Sequence, residues 1–396
     1  MKCISPECSH YSDTFIRHTL LSFACFLRTL MDMHYAMIMA GGSGTRLWPM
    51  SREGQPKQLI KFVDGRCLLE LAFDRLDGMV PEEGQYICAG QVHREAISEV
   101  LPGVHPGNYL AEPCGRDTLN AVGFAAAVIS RKDPNAVMAV LTADHIIEPV
   151  PVFQNFIKQG FELAKENPKT LVTFGVTPTE AATGYGYLKL GEKIGGDGAR
   201  KVAQFKEKPN EQLAQQYLEA GNDHYLWNSG MFVWNVSTIM DCIKRWCPAN
   251  HAGLMQIARA WGTEDQDAVL KAIYPSLPKI SIDYAVMEPA SRDHKVQVAA
   301  VPMDVKWLDV GSWPSYGQYL ESDEDGNAAK SSMVRMLDSK NTLIVNDDPQ
   351  HMIATIGCED LVIIHTRRAT LICHKDQAQQ IKALQSEIAK NEPHYA

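Results

Sequence analysis

Residues 41–46 read Gly-Gly-Ser-Gly-Thr-Arg, and Lys57 follows eleven positions after Arg46. Gly41, Gly42 and Gly44 let the backbone turn tightly and approach a ligand closely. Backbone N–H groups exposed in such a turn can hold phosphate oxygens. Arg46 adds a permanent charge with bidentate geometry, and Lys57 a mobile point charge. The order departs from GxGxxG, because Arg46 and Leu47 follow Gly44-Thr45. It also departs from a Walker A loop, because no Lys-Ser or Lys-Thr follows the glycines. Taken alone, the loop reads first as a plain glycine turn with two solvated cations. Two carboxylates extend the chemistry. Asp144 closes an apolar run in Thr142-Ala143-Asp144-His145, and Asp309 stands at a similar run's end, before Gly311. Ligands in open α/β sheets gather at the carboxyl ends of strands. Acids placed there can carry Mg²⁺, although a single Asp at such a point is otherwise a turn or helix N-cap residue. His145 reads as a structural neighbour of Asp144 rather than a ligand or base.

Positioning such a loop requires a strand feeding it. Residues 35–40 are a continuous apolar run, the pattern of a buried parallel strand. The chain then alternates: helix at Leu68–Leu76, strand at Gln85–Ala89, helix at Arg94–Leu101, strand at Asn108–Ala111, and an Ala-rich helix at Leu119–Arg131. A strand at Ala136–Leu141, a helix at Phe153–Glu166 and a strand at Leu171–Val176 follow. This alternation predicts an α/β fold with a doubly wound, Rossmann-like sheet. Strands at Tyr185–Leu190, Lys201–Phe205 and Gly230–Trp234 predict a mixed extension of that sheet. Helices at Ser237–Cys247 and Asp265–Tyr274 and a strand at Val296–Val301 complete a domain over 35–321. Residues 322–330 read as a polar linker. Short apolar runs with turns then predict a small β-helix-like module over 331–396, closed by a helix at Gln377–Lys390.

The chain has 396 residues, 45% hydrophobic and 21% charged, with a net charge of −9. That balance argues against nucleic acid and anionic membrane surfaces as partners. Nucleotide phosphates would therefore have to be met by local cations. Ten cysteines without CxxC or zinc-type spacing read as reduced thiols of a cytoplasmic protein. Residues 1–34 hold a short apolar stretch, Thr19–Leu27, broken by Arg28. It is too short to span a bilayer and lacks a signal peptide's charge and cleavage pattern. The expectation is a dispensable extension, with Met31 or Met33 as a natural start.

GGSGTRLWPMS followed by PKQ (residues 41–51 and 56–58) resembles the signature of sugar-phosphate nucleotidyltransferases. Trp48 and the PKQ ending resemble the mannose-1-phosphate guanylyltransferase branch. TADH (142–145), GYGYL (184–188), FKEKP (205–209), WNSGMF (227–232), SIDYAVME (281–288) and WLDVGSW (307–313) resemble that branch in its order. The resemblance spans about residues 35–315 and implies the nucleotide-diphospho-sugar transferase fold. It also implies GTP and mannose 1-phosphate as substrates, GDP-mannose and pyrophosphate as products, and Mg²⁺ held between Asp144 and Asp309. The attack is in line and forms no covalent enzyme intermediate. Arg46 would neutralise the leaving pyrophosphate, Lys57 would contact phosphates near the reacting centre, and Lys208 would hold the sugar phosphate. For Lys208 an exposed strand-end lysine is the alternative. Glu207, Asn228 and the Gly186 backbone would read sugar hydroxyls. Asp283 resembles a site-lining acid but could cap a helix. Ala40 and Gly41, together with Gly42, Ser43, Gly44 and Thr45, would lie along the nucleotide. Glu112–Thr118 resembles the base and ribose loop, with Arg116 and Asp117 in it. The family usually has Asn where Asp117 stands, and Asp117-Thr118 could simply cap the next helix. Trp48, Trp227, Trp307 and Trp313 could stack on ligand rings, although core packing is the commoner fate of such residues.

Two other readings stand beside this one. One is a transferase for another hexose 1-phosphate and NTP pair, against which Trp48, PKQ and SIDYAVME argue. The other is a non-catalytic sensor of nucleotide sugars, which would be expected to have lost Arg46, Lys57, Asp144, Lys208 or Asp309. About 80 residues follow Trp313, too few for a sugar-isomerase barrel, so no isomerase activity is expected. The module would pack on its own catalytic domain or on a partner subunit, which leaves a homodimer open.

Overall fold

A computed structural model describes residues 33–42, 44–195, 198–331 and 333–396. The expectations for residues 1–32 and for Ser43 lie outside the described residues. Nine strands form the main sheet: β1 (His34–Met39), β2 (Gln85–Gly90), β3 (Tyr109–Glu112), β4 (Val137–Thr142), β5 (Thr170–Val176), β6 (Tyr187–Lys193), β7 (Arg200–Lys206), β8 (Tyr225–Asn235) and β9 (Gln297–Met303). Their spatial order is β3-β2-β1-β4-β8-β5-β9-β7-β6, and β8 also pairs with β6. β1 runs parallel to both β2 and β4, while β8 is antiparallel to β4 and β5. The sheet is therefore mixed, as the sequence implies.

Strand direction makes the ligand crevice. The chain moves from β1 outward to β2 and β3, then returns to the other side of β1 as β4. The gap between the carboxyl ends of β1 and β4 is a topological switch point, where loops diverge and leave a crevice. The glycine loop follows β1, and Asp144 follows β4.

Period-two alternation explains the two layers. Tyr35 and Met37 face one core, with helix Asp117–Lys132 and helix Val236–Trp246. Ala36 and Ile38 face the other, with helix Val150–Glu166. Successive strand side chains point to opposite faces, so a strand covered on both sides must be apolar throughout.

Strand Ala328–Lys330, within the expected linker, is already part of the C-terminal module: it pairs in parallel with Leu343–Val345. Leu343–Asn346 pairs in parallel with Val362–His365, and Val334–Leu337 with Ile353–Ile356. Chain returns of this kind build a β-helix-like coil. Ile344 and Ile363 point into the coil beside Val334. Leu343, Val345, Val362 and Ile364 point the other way, onto Trp48, Trp313 and Tyr316 of the first domain. Among the described residues, no helix is long and apolar enough to cross a membrane.

Candidate active site

The glycine loop is fixed by two side chains that follow it. Gln58 Nε2 donates to the Gly41 carbonyl at 2.6 Å, and Ser51 Oγ to the Gly44 carbonyl at 2.5 Å. Gly44 has φ 59°, and a Cβ there would lie 2.7 Å from Lys57 Cβ. Only glycine gives both the left-handed turn and room for the lysine stem. A 3-10 turn at Thr45–Leu47 follows, with Leu47 buried and Arg46 on the wall of a cavity. Lys57 Nζ meets Asp144 Oδ2 at 2.6 Å. Burial would lower the lysine's pKa, but Asp144 and Asp309 outweigh it and raise it above the ordinary value. Lys57 is thus a fixed cation.

Two four-residue strands bring the carboxylates together. His145–Glu148 pairs antiparallel with Lys306–Asp309, with Asp309 opposite His145, and Val310 N–H donates to the Asp144 carbonyl at 3.0 Å. Burial raises the Asp309 carboxyl, and the like charge of Asp144 raises it further. Asp144 feels the same burial, yet the Lys57 ammonium, in contact with it, holds it below the usual range. Asp309 Oδ1 is buried without a hydrogen-bond partner, which is costly for an anion. Ligand atoms of Asp144, His145 and Asp309 all lie within 4.8 Å of one another. Trp307 Nε1 donates to His145 Nδ1 at 3.2 Å. An indole can only donate, so Nδ1 is an acceptor and neutral His145 carries its proton on Nε2. Burial keeps His145 neutral. His145 therefore presents N–H, not a lone pair, toward the acids. Two hard carboxylate donors, one with an unpartnered oxygen, fit a divalent cation of the oxygen-preferring class.

A cavity of about 190 Å³ opens beside the acids, lined by Gly186, Glu207, Asn228, Asp283, Asp144 and Asp309 among others. A Cβ at Gly186 would lie 2.6 Å from Glu207 Oε2, so glycine lets that carboxylate rest against the backbone. Lys208 Nζ binds Glu207 Oε1 at 2.5 Å, with Lys208 held at φ 42°, backbone strain of the kind found at functional sites. Asn228 Nδ2 donates to Asp283 Oδ1 at 3.1 Å, and Thr173 Oγ1 donates to Asn228 Oδ1 at 2.7 Å. Asp283 is the first residue of the π-helical turn Asp283–Met287. Burial, then the Glu207 charge, pushes its carboxyl up to about 7. Lys208 and Asp309 also line the larger cavity that holds Arg46. Trp227 and Trp307 flank Tyr185, and Trp307 lines the small cavity. Trp48 and Trp313 are core residues.

A third cavity, of about 430 Å³, shares Met39, Thr118, Thr142 and Asp144 with the small one and is lined by Gly41, Gly42, Gly115 and Asp117. Asp117, at φ 67°, both lines it and accepts the Thr118 N–H at 2.9 Å. Arg116 instead turns away and donates to the Pro275 carbonyl. Ala40 is buried, and its N–H is bonded to the Cys88 carbonyl at 2.9 Å. Thr45 lines a separate pocket against the C-terminal helix. Glu112, last in β3, opens the segment that resembles the base and ribose loop, although the sequence gives it no role of its own. Its Oε1 accepts from Tyr274 Oη at 2.6 Å, and its Oε2 lies 3.7 Å from where a Gly41 Cβ would stand. Burial raises its carboxyl. An acid at the carboxyl end of a parallel strand is the available signal. Lys279, from a polar loop, also lines this cavity.

Comparison with known proteins identifies the family. The family model described as nucleotidyl transferase matches residues 35–326, and a MannoseP isomerase/GMP-like beta-helix domain matches 333–387. The xanthan biosynthesis protein XanB of Xanthomonas campestris pv. campestris is 38% identical over 356 residues, covering 89% of this chain and 72% of that one. A mannose-1-phosphate guanylyltransferase of Escherichia coli is 34% identical over 87% of this chain and 74% of its own. The crystal structure of a protein described as mannose-1-phosphate geranyltransferase from Thermus thermophilus superposes with a TM-score of 0.78. It is 30% identical and covers 90% of this chain and 99% of that one. The family model and these relatives place the chain: it is an enzyme of the nucleotidyl transferase family, and within it belongs to the mannose-1-phosphate guanylyltransferases.

Proposed function

We propose that the protein transfers GMP from GTP to mannose 1-phosphate, giving GDP-mannose and pyrophosphate. The observation that carries this reading is the junction at Asp144. There Lys57 and the Asp309 carboxylate meet between a nucleotide-sized cavity of about 430 Å³ and the smaller cavity lined by Glu207, Asn228 and Asp283. A reaction between two phosphates needs positioning and charge neutralisation at such a junction. Lys208 would hold the sugar phosphate so that its oxygen attacks the α-phosphorus of GTP in line. The α–β phosphoanhydride bond breaks, and its electron pair leaves on pyrophosphate, beside Arg46. Asp144 and Asp309 would hold Mg²⁺, which would neutralise charge on the reacting phosphates. Glu112 supports the guanine half. Guanine presents N1–H and a 2-amino group as adjacent donors, and the Glu112 carboxylate offers an acceptor on the nucleotide-cavity wall.

A matrix of four NTPs against mannose, glucose and N-acetylglucosamine 1-phosphates, with Mg²⁺ and pyrophosphate release as readout, tests this directly. GTP with mannose 1-phosphate should be the fastest pair. A faster glucose 1-phosphate pair would replace this reading with another transferase. Release with no pair would favour a sensor of nucleotide sugars.

A further inference from the structure

The cavity that holds Arg46 has a wall from the other domain. Gln379, in the 3-10 turn Lys375–Gln380, lines this space of about 570 Å³ with Arg46, Lys208, Asp309, Ser312 and Ser315. That turn and the helix Ile381–Asn391 pack against the Thr45–Leu47 turn. Leu47 and Trp48 share one apolar cluster with Ala378 and Ile381. Side chains in a 3-10 turn diverge by about 120° per residue, so Leu47 sinks into the module while its neighbour Arg46 stays at the cavity. Trp48 is fastened on both sides. Its Nε1 donates to the Tyr395 carbonyl at 2.8 Å, and its own carbonyl accepts from Trp313 Nε1 at 3.0 Å. The arginine-bearing turn is thus held between the short helix Trp313–Gly317, which follows the Asp309 strand, and the residues around Tyr395.

We propose that the C-terminal helical segment is part of the catalytic site. Gln379 donates its side-chain amide to the phosphate oxygens that leave as pyrophosphate, and the Trp48–Tyr395 bond is a positioning contact that sets Arg46. This rests on the transferase reading above. A carboxamide suits the place: it donates to an anion without neutralising the neighbouring guanidinium, as a carboxylate would.

The experiment follows the reverse reaction, pyrophosphorolysis of GDP-mannose, in the full-length enzyme. Gln379→Glu keeps the size and replaces a donor with a negative charge; Gln379 is exposed, so the fold should tolerate it. The KM for pyrophosphate should rise about ten-fold or more, and less in Gln379→Ala, with the KM for GDP-mannose and the thermal midpoint unmoved. Trp48→Phe keeps the ring and loses the donor. It should lower kcat in both directions while the KM for GDP-mannose stays put. An active wild type with a pyrophosphate KM in Gln379→Glu within two-fold of it overturns the Gln379 contact. An unchanged kcat in Trp48→Phe overturns the positioning role. A wild type inactive with every pair defeats this proposal together with the transferase reading.

Discussion

Asp309 is the residue on which the proposed chemistry turns, because its Oδ1 is buried and unpartnered while Asp144 already has Lys57. Asp309→Asn keeps the shape and removes the charge. Turnover should fall by several orders of magnitude, Mn²⁺ affinity measured by titration should weaken, and the circular dichroism spectrum should not change. Arg46→Ala removes a cation proposed to act on the leaving group. A loss of roughly 10²–10³ in kcat is expected, with the KM for the sugar phosphate little altered; an effect confined to that KM would remove the assignment. Glu112→Gln tests base choice. An amide accepts through one oxygen where the carboxylate accepts through two. GTP should lose about ten-fold in kcat/KM while ATP and UTP do not. Asp283 makes a pH prediction. Its carboxyl titrates at about 7 in the folded protein, against an ordinary value of 3.8. Between those values the unfolded chain has released this proton and the folded chain has kept it. Its contribution to stability is therefore present at low pH and is lost as pH rises through about 7. Denaturation of Asp283→Asn followed across pH 4–7 should show a flatter profile than wild type. An identical slope would show that the carboxyl is ionised throughout.

At the scale of elements, long apolar runs are legible in the sequence and short ones are not. β1, β4 and β5 stand out because strands covered on both faces are mostly apolar, with Thr173 a buried polar exception inside β5. The strands His145–Glu148 and Lys306–Asp309 have four residues each and half-polar content, too little for periodicity to separate from a turn. Yet their pairing is what sets Asp144 beside Asp309. The sequence could therefore name both acids without showing how they meet. Helix Pro248–Ala260 and helix Glu211–Ala220 escape the pattern, since one begins directly after another helix and the other is largely polar. Local pattern groups Arg116 with the base because its neighbours lie there. Its tie to Pro275 comes from a segment 159 residues away, which local pattern cannot supply. Glycines carry the same lesson in reverse: Gly44 looks like loop flexibility, but the geometry makes it a steric requirement. Gly44→Ala would set a Cβ 2.7 Å from Lys57 Cβ and add about 1–2 kcal/mol of left-handed strain. Lys57 should be displaced, so kcat should fall sharply with a modest drop in thermal midpoint; a wild-type kcat would show that the loop absorbs the methyl group elsewhere.

For the whole molecule, the question is whether the module is an appendage or part of one folding unit. Its own interior is small, with Val334, Ile344 and Ile363 as the buried residues of that cluster. A core of that size cannot offset the conformational entropy of about 60 residues. The opposite face of the same strands is larger: Leu343, Val345, Val362, Ile364 and Leu371 join Leu47, Trp48, Phe62, Trp313 and Tyr316 in one cluster. Trp48 Nε1 also donates to the Tyr395 carbonyl at 2.8 Å, a polar bond across the contact. Most of the module's stabilising burial is therefore shared with the glycine-loop side of the catalytic domain. Two independent transitions would need two self-sufficient cores, and here there is one. Calorimetry should show a single cooperative transition. Val362→Ala, deep in the shared cluster, should cost about 1–3 kcal/mol, lower that one midpoint and lower activity near it in parallel. Two separated peaks, with transferase activity surviving the first, would show that the module folds and melts by itself.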